Sequence, residues 1–207
     1  MIDTAARRFP ILTVATPRLH IRALEVADAP DIDAILADRH TRRWLPLPDH
    51  GAHVPAPAAT PGEPERPPID GMTWCTVLAD RQRDAGDGDH FAVTRREDGR
   101  LVGLVWTART DWAARSTEVS FATAPGARGY GVGAEAVDAI TIALLLEHGF
   151  QRVELRIAPG NIGARRVAEK AGFVYEGLQR NAGFVHGGRV DLEMWSLVAG
   201  DLQSAGT

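Results

Sequence analysis

Pro125-Gly126-Ala127-Arg128-Gly129-Tyr130-Gly131-Val132-Gly133 lies between an alternating, strand-like run and a long apolar one. Glycines at 129, 131 and 133 remove every Cβ that would hold a ligand off the backbone, and glycine accepts positive φ readily. Downstream, Val137, Ile140, Leu144 and Leu145 recur at the spacing of one helical face, which predicts a helix over residues 132–148. A glycine turn entering a helix leaves the first N–H groups without intrahelical partners, with the positive end of the helix dipole behind them. Such a place attracts an anion, most often a phosphate or pyrophosphate. Arg128 adds a permanent charge and a planar fork of donors. The same stretch also reads as a plain turn capping a buried helix.

Two phosphate motifs compete for it. A P-loop needs Gly-Lys-Ser/Thr, which is missing here. A dinucleotide turn needs G-x-G-x-x-G/A, and Gly129, Gly131 and Ala134 fit, with Glu154 about 20 residues on where a ribose-binding acid belongs. That turn should follow its strand directly, however, and Ala124-Pro125-Gly126-Ala127, then Arg128, intervene between the strand expected at 117–123 and Gly129. The position also leaves room for one βαβ unit rather than two halves.

Arg128-x-x-Gly131-x-Gly133 resembles the pyrophosphate loop Arg/Gln-x-x-Gly-x-Gly/Ala of the GNAT superfamily of N-acetyltransferases. Asn161-Ile162-Gly163-Ala164, Glu169-Lys170-Ala171-Gly172-Phe173, Glu176-Gly177, Arg180, Gly187 and Asp191 follow in order, and Thr16-Pro17-Arg18-Leu19-His20-Ile21-Arg22 precedes. The series is similar to the ribosomal-protein alanine acetyltransferase branch over residues 14–199. The resemblance implies acetyl-CoA as co-substrate, its diphosphate on the amides of Gly129, Gly131, Val132, Gly133 and Ala134 beside Arg128. It also implies an α+β fold, a single domain over residues 1–207 with helices on both faces of a mostly antiparallel sheet. One parallel strand pair should splay, with Phe121 and Ala122 offering an edge to the pantetheine arm.

Composition limits the alternatives. A chain of 207 residues, 44% hydrophobic and 24% charged, has the make-up of one globular domain. No apolar run approaches 18 residues and the first eight residues lack a signal-peptide core, while Cys75 is the only cysteine. These features predict a cytoplasmic protein away from membranes. A net charge of −4 gives no electrostatic footprint for nucleic acid. Lys170 is the only lysine among 23 basic residues. A monomer or a homodimer is equally compatible with the sequence.

Strands are expected around 19–23, 91–95, 101–106, 117–123, 153–157, near Val174 and at 190–197, and helices from Pro30, over 70–83 and over 132–148. Asp28 is placed to cap the first helix. Eight of the thirteen prolines fall between Pro46 and Pro68, so residues 45–70 read as a long loop inserted into the family pattern.

Acyl transfer from a thioester to an amine needs a neutral amine and a proton for the departing thiol. Glu118, in the strand leading to the glycine turn, is the candidate base, where the branch often carries a glutamate; it equally suits a solvated strand face. Glu176 and Asp191 are further candidates with structural roles as the alternative. Asn161 can cap its helix and turn its other edge to the pantetheine amides. Arg165 or Arg166 can reach the coenzyme's 3′-phosphate. Relatives that supply a serine or tyrosine acid from this helix differ from this chain, which has Ala164 and Ala168, and neither Tyr130 nor Tyr175 clearly fits. His50-x-x-His53 lacks a third metal ligand, so no metal is expected. Trp44 and Trp74 flank the proline-rich loop, whose Glu63, Glu65 and Asp70 would favour a cationic acceptor. A non-catalytic acyl-CoA sensor remains the alternative in another class, and a dinucleotide oxidoreductase the third.

Overall fold

Among the described residues there are eight strands: β1 (Val14–Ala15), β2 (Leu19–Ala23), β3 (His90–Arg95), β4 (Leu101–Asp111), β5 (Ser116–Thr123), β6 (Arg152–Ile157), β7 (Val174–Val185) and β8 (Gly188–Val198). In the computed structural model, which describes residues 8–45, 70–185 and 188–204, they form one sheet in the order β1-β2-β3-β4-β5-β6-β8-β7. Every neighbouring pair is antiparallel except β5 and β6. This is the expected α+β architecture.

The parallel pair is short. Ser116, Thr117 and Glu118 pair with Arg152, Val153 and Glu154, and pairing stops there. Each strand continues because its outer neighbour holds it: β5 stays on β4 to the Thr123–Gly103 pair, and β6 stays on β8 to the Ile157–Glu193 pair. The result is a fork whose inner edges carry backbone groups with no strand partner. The expected splay is therefore present, and its apex falls at Glu118.

Helices cover both faces. α5 (Val132–Leu146) is buried at eight positions from Ala136 to Leu145, so it lies within the core. Its Val137, Ile140 and Leu144 pack with Phe91, Val93, Val105 and Val119 of the sheet and with Ala168 of α6 (Ile162–Lys170). On the opposite face, Ile32, Ile35 and Leu36 of α1 (Ala29–Ala37) join Trp74 against Ala92, Leu104 and Ala122. The odd and even residues of β5 thus serve different cores, as the two-residue period of a strand requires.

α2 (Arg39–Trp44) follows α1 directly. The helix expected over 70–83 is broken into α3 (Gly71–Thr73), a π-helical turn Trp74–Leu78 and α4 (Ala79–Asp84). A short α7 (Ala199–Ser204) closes the chain. α5 ends at Leu146, two residues before the expected 148, because Gly149 turns left-handed (φ 70°) and the Phe150 N–H bonds the Leu144 carbonyl. Asp28 does not cap α1 as expected; its carboxylate takes both terminal nitrogens of Arg22, at 2.8 and 2.9 Å, and the Glu25 N–H. Of the proline-rich loop read at 45–70, residues 46–69, with Glu63, Glu65, His50 and His53, lie outside the described residues, as does Gly187.

Candidate active site

The glycine turn takes its shape from two left-handed residues, Gly129 (φ 84°) and Gly131 (φ 80°). Gly131 stands at the N-cap of α5 and provides no side-chain cap. In three other helices the first turn is satisfied by a side chain: Asp38 accepts from Thr41 N–H in α2, Asp70 from Thr73 N–H in α3, and Asn161 from Ala164 N–H in α6, whereas α1 and α4 have no side-chain cap. The first bond of α5 runs from the Glu135 N–H to the Gly131 carbonyl. The amides of residues 129–134 make no hydrogen bond among the described residues. Asp70, one of the acidic residues expected to favour a cationic acceptor, serves as the N-cap of α3.

The turn is fixed from behind. Arg18 donates to the Tyr130 carbonyl at 2.9 Å and to Glu135 at 2.6 Å. A Cβ on Gly133 would lie 3.0 Å from Thr123 Oγ1 and 3.5 Å from the Phe121 ring, so α5 enters tight against the end of β5.

Arg128 is used differently from the expectation that its fork serves an anion. Its Nε donates to the Thr123 carbonyl at 3.1 Å and its Nη2 to Thr41 Oγ1 at 3.0 Å and to Asp38. The guanidinium, bonded to Asp38, holds that carboxyl at about 2. Arg128 therefore ties the turn to α2, and only Nη1 makes no hydrogen bond among the described residues.

A cleft of about 930 Å³ follows the fork, from the glycine turn to the aromatic side of α2 and the π-turn. Of the residues singled out from sequence, Glu118, Phe121, Ala122, Arg128, Gly129, Gly131, Val132, Gly133, Ala134 and Asn161 all line it. Arg165 does not. Its Nε sits 3.2 Å from Glu193 on β8, and Arg166 and Lys170 are the α6 cations at the cleft. Asn161 spends Oδ1 on its cap, 3.2 Å from the Ala164 nitrogen. Beside it the edge of Trp44 lies 3.0 Å from where a Cβ on Gly160 would be, closing the cleft between α2 and the loop after β6.

Glu118 sits at the apex of the fork with its side chain 15% exposed. Arg109 Nε lies 3.3 Å and Arg156 Nη1 3.8 Å from Oε2, and neither contact is a hydrogen bond. Burial pushes the Glu118 carboxyl above the usual carboxylate range, and the two guanidiniums offset this only in part. Arg109 occupies a bulge in β4 with φ 55°, a backbone choice that aims its side chain at Glu118. Arg156 lies two residues along β6 from Glu154, the parallel partner of Glu118, and so projects from the same face. That alternation was the sequence signal for Arg156; nothing local marked Arg109.

Glu176 and Asp191 are occupied elsewhere. Glu176 is gripped by Arg152 at 2.7 Å and by the Ser196 hydroxyl at 2.8 Å, which hold its carboxyl down to about 2. Asp191 accepts the Asn181 N–H at 2.7 Å inside the last hairpin. Tyr175 packs at a tilt against Trp195 and Tyr130 is 72% exposed, and neither lines the cleft. Ser120, on the same face of β5 as Glu118, does line it. The far wall is Trp74, His90 and Trp106, with ring centroids 5.3–6.3 Å apart. Burial drops the His90 imidazole to about 3, so it is neutral. Burial raises the Cys75 thiol to about 11, which leaves it a poor nucleophile. Among the described residues no group of three or more His, Cys, Asp or Glu is placed to hold a metal, and no helix is long and apolar enough to cross a membrane.

Comparison with known proteins agrees with this geometry. The family profile described as an acetyltransferase (GNAT) domain matches residues 18–174. YdaF of Bacillus subtilis, named provisionally as a ribosomal N-acetyltransferase, is 27% identical over 180 residues, 86% of this chain and 90% of that protein. Mycobacterium smegmatis RimJ, solved with CoA-disulfide, superposes with a TM-score of 0.69 at 21% identity, covering 95% of this chain and 94% of its own. A variant of the spermidine N-acetyltransferase SpeG from Vibrio cholerae superposes with a TM-score of 0.70 at 19% identity, over 93% of this chain and all of its own. The expected likeness to ribosomal-protein acetyltransferases is thereby shown, and the two structural matches share the fold.

Proposed function

The chain belongs to the acetyltransferase (GNAT) domain family and is an N-acetyltransferase, and from that premise we propose that it moves the acetyl group of acetyl-CoA directly to a primary amine in a ternary complex. One observation carries the proposal: α5, the longest helix among the described residues, starts at an uncapped glycine and opens beside a forked strand pair. A diphosphate on the amides of 129–134 would satisfy donors that the fold leaves unmet. The pantetheine arm then lies between the free edges of β5, at Phe121 and Ala122, and β6, with Asn161 at its side. Arg166, one of the two arginines considered for it, and Lys170 supply positive charge at the α6 end for the remaining phosphate.

Glu118 is the base. The nitrogen lone pair attacks the thioester carbonyl, the N–C bond forms, the C–S bond breaks, and the ammonium proton passes to Glu118 directly or through water. The departing thiol has an ordinary pKa of about 8.5, so it can leave as thiolate and take its proton from solvent. A lysine amine costs about 4–5 kcal/mol to deprotonate at pH 7, an α-amine only about 1 kcal/mol. A protein N-terminus or a small α-amine is thus within reach of one carboxylate that burial holds above its usual range.

Thiol release from acetyl-CoA across a panel of amines and N-terminal peptides tests the reading, alongside calorimetry with CoA. Release with at least one acceptor, and CoA binding lost when the turn is altered, is the expected result. Absence of CoA binding to the intact protein sinks it.

A further inference from the structure

The charges along the cleft are unequal. Arg109, Arg128, Arg156, Arg166 and Lys170 line it against a single carboxylate, Glu118, among the described residues. Arg128 is neutralised by Asp38, and Arg166 and Lys170 stand on α6 toward the coenzyme end. Two cations therefore face one base at the apex. We propose that the acceptor is a primary amine with a carboxylate close beside it, the amine directed to Glu118 and the carboxylate held by Arg109 and Arg156. The proposal rests on the acyl-transfer reading above.

Arg156 supplies the strongest reason. Its side chain is 15% exposed, its Nη2 bonds Gln179 Oε1 at 2.7 Å, and its Nε is buried without a hydrogen-bond partner. A buried guanidinium with an unmade bond is costly, and a carboxylate is the planar acceptor that fits its fork. Glu118 does not fill that role, since its Oε2 stands at 3.8 Å from Nη1 and makes no hydrogen bond among the described residues. Arg109 complements it. Its side chain is 67% exposed, so it can swing from Glu118 to an incoming anion, and its left-handed backbone is the kind of local strain that persists where a site requires it. The opposite wall adds no compensating charge, because His90 is neutral, and it carries two further buried nitrogens without partners, Trp74 Nε1 and His90 Nδ1. An acceptor rich in oxygen meets such a site; a polycation meets two guanidiniums.

The chemistry fits two sources, a free α-amino acid or a peptide beginning with an acidic residue, and the assay separates them. With full-length protein and acetyl-CoA, thiol release is measured for L-phenylalanine, L-phenylalaninamide, phenethylamine and spermidine. The same is done for an Asp-Ala-Ala peptide amide and its Asn-Ala-Ala counterpart. The acid of at least one pair should exceed its neutral partner about tenfold or more in kcat/KM; which pair does so identifies the source. In Arg156→Met, and separately in the more exposed Arg109→Met, that ratio should fall toward one, with unchanged CoA binding by calorimetry showing that the variants are folded. Equal rates within both pairs, preference for spermidine, or a ratio untouched by both substitutions overturns the proposal. CoA binding without thiol release from any amine removes the acyl-transfer reading itself, and this inference with it.

Discussion

Glu118 and His90 show what burial does to a single side chain. Glu118 is kept above the usual carboxylate range chiefly by desolvation, with Arg109 and Arg156 pulling the other way. A base must be ionised to act, so activity should fall as pH drops through this raised value. Glu118→Gln should lower kcat/KM by about 10²–10⁴-fold with CoA affinity unchanged, and remove the acidic limb of the pH–rate profile. His90 moves in the opposite direction, from 6.5 to about 3, because burial disfavours its charged form. The unfolded chain takes that proton below about 6.5 and the folded chain does not, so stability is full above this pH and declines as pH falls toward 3. Between pH 6.5 and 5 the loss reaches up to about 2 kcal/mol. His90→Phe should lose less over the same interval, as denaturant titrations at the two pH values will show.

At the scale of elements, the glycine turn and the first turn of α5 act as one device. α2, α3 and α6 receive side-chain caps; α5, like α1 and α4, does not. Gly131 cannot be exchanged freely, since φ 80° disfavours any Cβ. Gly131→Ala should cost about 1–2 kcal/mol, lower Tm by about 2–8 °C and weaken CoA binding measured by calorimetry. Loss of stability with CoA affinity intact would show that the turn is only a cap. This device was legible from sequence, because glycine chemistry and a 3.6-residue period are local properties. The boundaries were less so: α5 stops early where Gly149 reverses the chain, and the stretch after Asp70 breaks into a π-turn that no periodicity signals.

At the scale of the molecule, the fork joins four elements that are apart in the chain. β5 and α5 give one bank, β6 and α6 the other, and the Arg128–Asp38 pair fastens the turn to α2. A ligand spanning both banks stabilises the folded state by mass action, about 2.7 kcal/mol at a hundredfold excess over Kd. Saturating CoA should raise Tm by about 5–10 °C by scanning fluorimetry, and the rise should shrink in Gly131→Ala.

Alternation, helical period and turn residues act over a few positions, so the amino-acid order alone pointed to every strand but the two-residue β1, to the long core helix, to the glycine entrance and to Glu118 as a candidate. Choice of partner is a long-range matter. Whether Arg128 meets an anion or Asp38, whether Arg165 or Arg166 reaches the cleft, and that Arg109 and Arg156 converge on Glu118 were decided only when segments up to 90 residues apart met. A guanidinium on a long flexible stem pairs with whatever carboxylate tertiary packing brings within reach, and sequence spacing does not encode that distance.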